Sequence, residues 1–127
     1  MKTNELLEKY PKVTELIKNW HLDKLKLSLN SPEIDEEFKK QIKIDTITNE
    51  VISRVIDSNP HAYFEMFDEK KVYIEVLICE ENEKVYFKSF VEKLDNQRHL
   101  LVESFNKRIQ AERFGLEKAF KILEKKL

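Results

Sequence analysis

Apolar residues near the start of the chain recur at intervals of three and four, which is the spacing of one face of an amphipathic helix. They are Leu6, Tyr10, Val13, Ile17 and Trp20. Pro11 interrupts the pattern and either kinks the helix or begins a second one, because proline suits the first turn of a helix. The stretch 25–29 alternates as a strand does but also fits a helix, and we favour the helix.

A further helix is predicted over roughly residues 32–57. Ser31 and Pro32 form a typical helix start, with a capping hydroxyl followed by proline at the first helical position. The apolar face broadens along this segment, which predicts that its second half is the more deeply buried. Pro60, which follows three polar residues, ends the helix.

Residues 72–90 carry the pattern of a β-hairpin. Ile74, Val76 and Ile78 recur at the two-residue period of a strand, and we expect all three to point into the core. Four polar residues, 80–83, separate this strand from a second one at 85–90. Because the turn lacks Asn-Gly or Asp-Gly, we expect a loop longer than two residues.

A hairpin alone is only marginally stable, so a third strand is expected. The aromatic segment 61–67 is the favoured third strand. Asn59 as a cap and Pro60 at a first helical position would equally allow a short helix there.

The pattern from Asp95 to Leu127 is helical again. The apolar face consists of Val102, Phe105, Ile109, Leu116, Ala119 and Leu123. On such a helix Phe114 points about half a turn away from Phe105. An unbroken helix would be about 45 Å long, whereas a domain of this size has a radius of gyration of about 14 Å. We therefore expect the helix either to break near Gly115 or to project from the domain.

Together these elements predict an α+β fold in a single domain over residues 1–127. N-terminal helices (1–58) and a long C-terminal helix (96–127) pack on a small antiparallel β-meander of two or three strands (61–91). The length is sufficient for a hydrophobic core without disulfides or metals.

Composition narrows the possible functions. The chain of 127 residues contains one glycine, so the glycine-rich loops that bind phosphates and nucleotides are almost excluded. The single cysteine cannot form an internal disulfide, which favours a reducing, cytoplasmic location. We expect no signal segment and no membrane span. Abundant Lys, Glu, Ile and Asn are typical of AT-rich genomes and fit a bacterial, viral or mobile-element origin.

No catalytic, metal or cofactor site is expected. His21, His61 and His99 lack metal-ligand spacing, and Cys79 is best explained as a small buried side chain. Asp57, Asp68 and Lys70 distantly resemble the acids and lysine of metal-dependent nucleases, but solvated turn charges explain them more simply. We therefore expect a protein that is not an enzyme and has no cofactor.

The hypothesis that remains is a non-enzymatic protein–protein interaction or assembly protein, which either binds a protein partner or associates with itself through the C-terminal helix. The candidate partner-binding residues are Ile109, Arg113, Leu116, Phe120, Leu123 and Leu127. Truncation after Arg113 is expected to remove association and leave residues 1–113 largely folded.

The alternative is a nucleic-acid-associated protein that uses a basic C-terminal helix. Residues 96–127 carry eight Lys/Arg and four Asp/Glu, whereas residues 1–95 carry 15 Lys/Arg and 20 Asp/Glu. A positive stripe on one exposed surface would favour this alternative. Its expected members are Arg98, Lys107, Arg108, Arg113, Lys118, Lys121 and Lys125.

Overall fold

The fold is α+β, with helices packed on one face of a three-stranded antiparallel sheet in the computed structural model. The structure describes residues 1–28, 36–37, 46–93 and 99–127. Within these residues the elements are α1 (Thr3–Lys9), α2 (Pro11–Ser28), α3 (Asn49–Ser58), a 3₁₀ helix (Pro60–Tyr63), α4 (Phe64–Glu69), β1 (Val72–Glu81), β2 (Lys84–Lys93), β3 (His99–Phe105) and α5 (Arg108–Lys126). No helix among them is both long and apolar enough to cross a membrane.

Pro11 separates the first two helices rather than kinking one helix. It occupies the first position of α2, where its missing N–H costs no hydrogen bond. The next two N–H groups, those of Lys12 and Val13, donate to the Glu124 carboxylate at 3.1 and 2.8 Å. The C-terminal part of α5 therefore caps the start of α2. The helix favoured for 25–29 is confirmed up to Ser28.

The helix predicted over 32–57 lies partly outside the described residues, and it is wrong as an unbroken helix. Glu36 and Glu37 are helical, but residues 46–48 are not α-helical. Thr48 instead caps a new helix, α3, by accepting a hydrogen bond from the N–H of Val51 at 3.2 Å.

The favoured third strand at 61–67 is also wrong, and the alternative short helix is confirmed. Pro60 begins the 3₁₀ helix and α4 follows it directly. Tyr63, Phe64, Met66 and Phe67 are all buried. Their spacing of one, two and one residues buries one side of a helix, whereas a strand would place two of them on each face.

The predicted hairpin is confirmed, but its loop is shorter than expected. β1 and β2 pair from Val72–Lys93 to Glu81–Lys84, which leaves Asn82 and Glu83 as a two-residue turn. Both turn residues have positive φ, 52° and 66°, as in a type I′ turn. Ile74 is buried and Val76 is half-buried, whereas Ile78 is 61% exposed. The prediction that all three point into the core is therefore wrong for Ile78.

The third strand comes from the start of the segment that was predicted as the C-terminal helix. β3 pairs with β2 from Phe87–Phe105 to Lys93–His99, so the sheet order is β1-β2-β3. The helix begins at Arg108 and runs without a break to Lys126. Its 19 residues span about 28 Å, which fits a domain of this size.

Helix α5 is central to the core because two layers contact it. One side lies on the sheet at Gly115, Ile74 and Val91, and another contacts α2, α4 and the 3₁₀ helix. The buried apolar residues that surround it include Leu6, Leu7, Val13, Ile17, Ile52, Ile56, Tyr63, Phe67 and Val72. Helix α5 therefore packs between the N-terminal helices and the sheet and connects the two layers.

Candidate interaction surface

Half of the predicted partner-binding residues are core residues of their own chain. Leu116, Phe120 and Leu123 are at most 1% exposed, so the prediction that they form a docking stripe is wrong. The sequence pattern identified the apolar face of α5 correctly, but the sheet on one side and the helices on the other already cover it. Only the two ends of the predicted stripe, Ile109 and Leu127, remain exposed.

Arg113 is engaged inside the molecule. Its guanidinium donates to the Thr3 hydroxyl at 2.6 Å, to Asp57 at 3.3 Å and to the carbonyl oxygen of Met1 at 3.0 Å. Its Nε donates to Glu117 at 3.1 Å, and the Thr3 hydroxyl also donates to Asp57. Arg113 therefore fixes α1 and α3 to α5, which is a structural role.

A continuous apolar surface lies at the end of the molecule where the hairpin projects. We call it the end patch; its members are Ile78, Val85, Phe87, Phe105, Ile109 and Phe114. Val85 and Ile109 are 55% and 44% exposed, and the three phenylalanines are half-buried. Of these six residues, only Ile109 was among the predicted partner-binding residues.

Strand register brings the members of the end patch together. Ile78, Phe87 and Phe105 are direct neighbours across the three strands. The Phe105 ring lies 5.2 Å from the Phe114 ring, measured between centroids, so the prediction that these two residues diverge is wrong. Both rings and Ile109 line an open groove of about 620 Å³.

The hairpin reaches beyond the rest of the sheet. β3 ends at Phe105, opposite Phe87, so in the described part of the chain only two strands continue toward the turn. We call residues 77–86 the ribbon. Val85 lies on the two-stranded part, which buries little of its own apolar surface, and Ile78 lies on the edge strand β1 at the level where β3 ends. Both side chains are more than half exposed.

Charges are distributed unevenly along this end of the molecule. The ribbon carries three acids, Glu80, Glu81 and Glu83, against the single base Lys84. Residues 107–118 carry four bases and two acids. Arg108 lies over the Phe87 ring at 5.3 Å and Lys118 over the Phe114 ring at 5.4 Å. The end patch is thus acidic on the ribbon side and basic on the α5 side.

The opposite face of the sheet is different in character, although Tyr73, Leu77 and Val102 are exposed on it. Charged residues lie beside apolar ones on it, since Tyr73 faces Glu92, Phe90 faces Glu75 and Leu77 faces Lys88, although Phe90 also pairs with Val102. Such mixing is typical of the solvent face of an antiparallel sheet. The end patch has an uninterrupted apolar row instead.

The basic stripe expected on α5 is only partly formed. At 100° per residue, Lys107, Lys118, Lys121 and Lys125 fall on one face of the helix and lie at its surface, and Arg108 is exposed about 80° away. Arg113 is committed to its internal ion pairs, and Arg98 lies outside the described residues. A protein that makes about six to ten phosphate contacts would need more cations than these four lysines.

The described histidines and Cys79 form no cluster. No group of three His, Cys, Asp or Glu side chains that could hold a metal ion is present in the described ranges. His21 Nε2 lies 2.6 Å from the Tyr63 hydroxyl. Burial lowers the pKa of His21 and raises the pKa of Tyr63. The pair joins α2 to the 3₁₀ helix, neither residue lines the groove described above, and the pair is best explained as a structural contact.

Comparisons of the chain with protein-family models, curated proteins and solved structures found no significant match.

Proposed function

We propose that this chain is a non-catalytic protein-interaction module that docks a protein on the end patch. The observation that carries the proposal is the apolar row Ile78–Phe87–Phe105, which crosses all three strands at the level where β3 ends and the hairpin continues past it. Exposed contiguous apolar surface with a charged rim is typical of protein-binding sites. The class of function expected from the sequence is kept, but its site moves from a stripe along the whole of α5, Ile109 to Leu127, to the ribbon and the first turns of α5.

The aromatic content of the end patch supports the same conclusion. Interfaces are enriched in aromatic residues, which supply a large contact area at little conformational cost. Phe87, Phe105 and Phe114 are held in place by strand pairing and ring contacts. A partner would therefore meet side chains that are already ordered.

A paired-variant capture experiment tests the proposal. Ile78→Ser with Val85→Ser removes the most exposed apolar groups of the end patch, and Leu77→Ser is the matched control on the opposite face of the same ribbon. The tagged proteins are recovered from the source cells with and without nuclease. We expect a protein that binds the wild type and the control, survives nuclease treatment and is absent from the double variant.

Two results would contradict this proposal. Equal recovery of partners by the wild type and the folded double variant would remove the end patch as the site. Recovery that depends on nucleic acid, and that is lost in Lys118→Glu with Lys121→Glu, would favour nucleic-acid association through α5 instead.

A further inference from the structure

We infer that the partner of the end patch is a second copy of this chain, related to the first by a two-fold axis; the inference rests on the proposed function. A two-fold interface uses the same patch on both copies, so the patch must be complementary to itself. The end patch meets this condition because its two sides carry opposite charge around an apolar centre.

The ribbon and the first turns of α5 carry net charges of opposite sign. Three acids and one base on the ribbon give a net charge of −2, and four bases and two acids over residues 107–118 give +2. An antiparallel arrangement places the ribbon of each copy over the first turns of α5 in the other. Each acidic side then meets a basic side, and this contact occurs twice.

The apolar centre fits the same arrangement. Ile78 and Val85 project from the ribbon, whereas Phe105, Ile109 and Phe114 form the apolar side of a groove whose other side is polar and includes Asp57, Arg113 and Glu117. A ridge next to a groove on one surface is complementary to its own two-fold copy. Exposed Ile78 and Val85 of each copy would enter the groove of the other and be removed from water.

Two folded variants with reversed charges test this inference. The acid-reversed variant carries Glu80→Lys and Glu83→Lys, and the base-reversed variant carries Lys107→Glu and Lys118→Glu. Three of the four positions are exposed and Lys118 is half-buried, so the circular dichroism spectrum should match that of the wild type and each variant should keep a cooperative melting transition. The matched control, Lys121→Glu with Lys125→Glu, makes the same charge change farther along α5.

Sedimentation velocity measures the outcome up to several hundred micromolar protein. The wild type and the control should sediment at twice the monomer mass of 15.3 kDa. Each reversed variant alone should sediment as a monomer, because like charges then meet at both contacts. An equimolar mixture of the two should restore a dimer, since every contact in the mixed pair again joins opposite charges.

A wild type that stays monomeric overturns the inference, as does a mixture of folded reversed variants that stays monomeric. The inference is also wrong if the wild type forms dimers and both reversed variants dimerise as strongly as the wild type does. If the wild type is monomeric but captures a different protein through Ile78 and Val85, the proposed function stands and only the second copy is excluded. If the wild type neither dimerises nor captures a different protein, the proposed function and the inference of a second copy are both wrong.

Discussion

A β-carbon on Gly115 would lie 2.5 Å from Cγ2 of Ile74, closer than any tolerated contact between carbon atoms. The same β-carbon would lie 2.8 Å from the Ser89 hydroxyl oxygen. The chain's single glycine therefore marks the point where α5 lies directly on the sheet. It is needed for close approach rather than for a turn or a kink.

Gly115→Ala should destabilise the protein, although alanine is the better helix former. Overpacking a filled core costs about 1–3 kcal/mol, which exceeds the gain of about 1 kcal/mol in helix propensity. Urea denaturation followed by circular dichroism measures the difference. Gln110→Ala, at an exposed position of the same helix, is the control and should be close to neutral. An unchanged or higher midpoint for Gly115→Ala would show that α5 does not approach the sheet so closely.

Glu83→Gly should stabilise the hairpin. Glu83 occupies the second position of the type I′ turn with φ of 66°, where glycine is preferred. Relief of this strain is worth about 1 kcal/mol. The melting temperature should rise in Glu83→Gly and should not rise in Lys84→Gly, which has no positive φ to relieve. A lower melting temperature for Glu83→Gly would argue against the two-residue turn.

Truncation after Arg113 should unfold the protein, contrary to the expectation from sequence. The deletion removes Leu116, Phe120 and Leu123 from the core. Loss of each such buried side chain costs about 2–5 kcal/mol, and the three losses together are comparable to the whole stability of a typical domain, about 5–15 kcal/mol. The truncated chain should lack a cooperative melting transition. A sharp transition would mean that the first 113 residues form a core of their own.

Stability should fall as the pH drops below the ordinary His21 pKa of 6.5. Burial lowers this pKa in the native state, so the unfolded chain binds more protons in this range and acid favours it. His21→Gln should show a shallower loss of melting temperature from pH 7.5 to pH 5 than the wild type. His61→Gln, at an exposed histidine, is the control. Equal pH dependence in all three proteins would mean that His21 is not held neutral by the fold.

The sequence predicted elements well where one periodicity dominated. The α+β class, the hairpin at 72–90 and the start of a helix at Pro11 all follow from local pattern and turn chemistry. The sequence-based assignment failed where a short apolar segment fits both the period of a helix and the period of a strand. Residues 99–105 were assigned to the C-terminal helix because Val102 and Phe105 continue its spacing, but pairing with β2 makes them a strand.

The site was harder to predict because exposure is a property of the whole fold. Ile78 has the same spacing as Ile74, yet only Ile74 lies under α5. Leu116 and Ile109 likewise share an apolar face in the sequence, but the core covers Leu116 alone. One signal was available: Ile78 and Val85 lie on either side of the acidic segment 80–83, and the tip of a hairpin usually lies beyond the core.

Site-specific photocrosslinking in the source cells tests most directly whether a protein covers the end patch. A photoreactive phenylalanine analogue replaces Ile78 in one variant and Leu77 in another, so the two probes lie on opposite faces of one ribbon. We predict nuclease-resistant protein adducts from position 78 and far fewer from position 77. Equal labelling at both positions, or no protein adduct at position 78, would contradict the account.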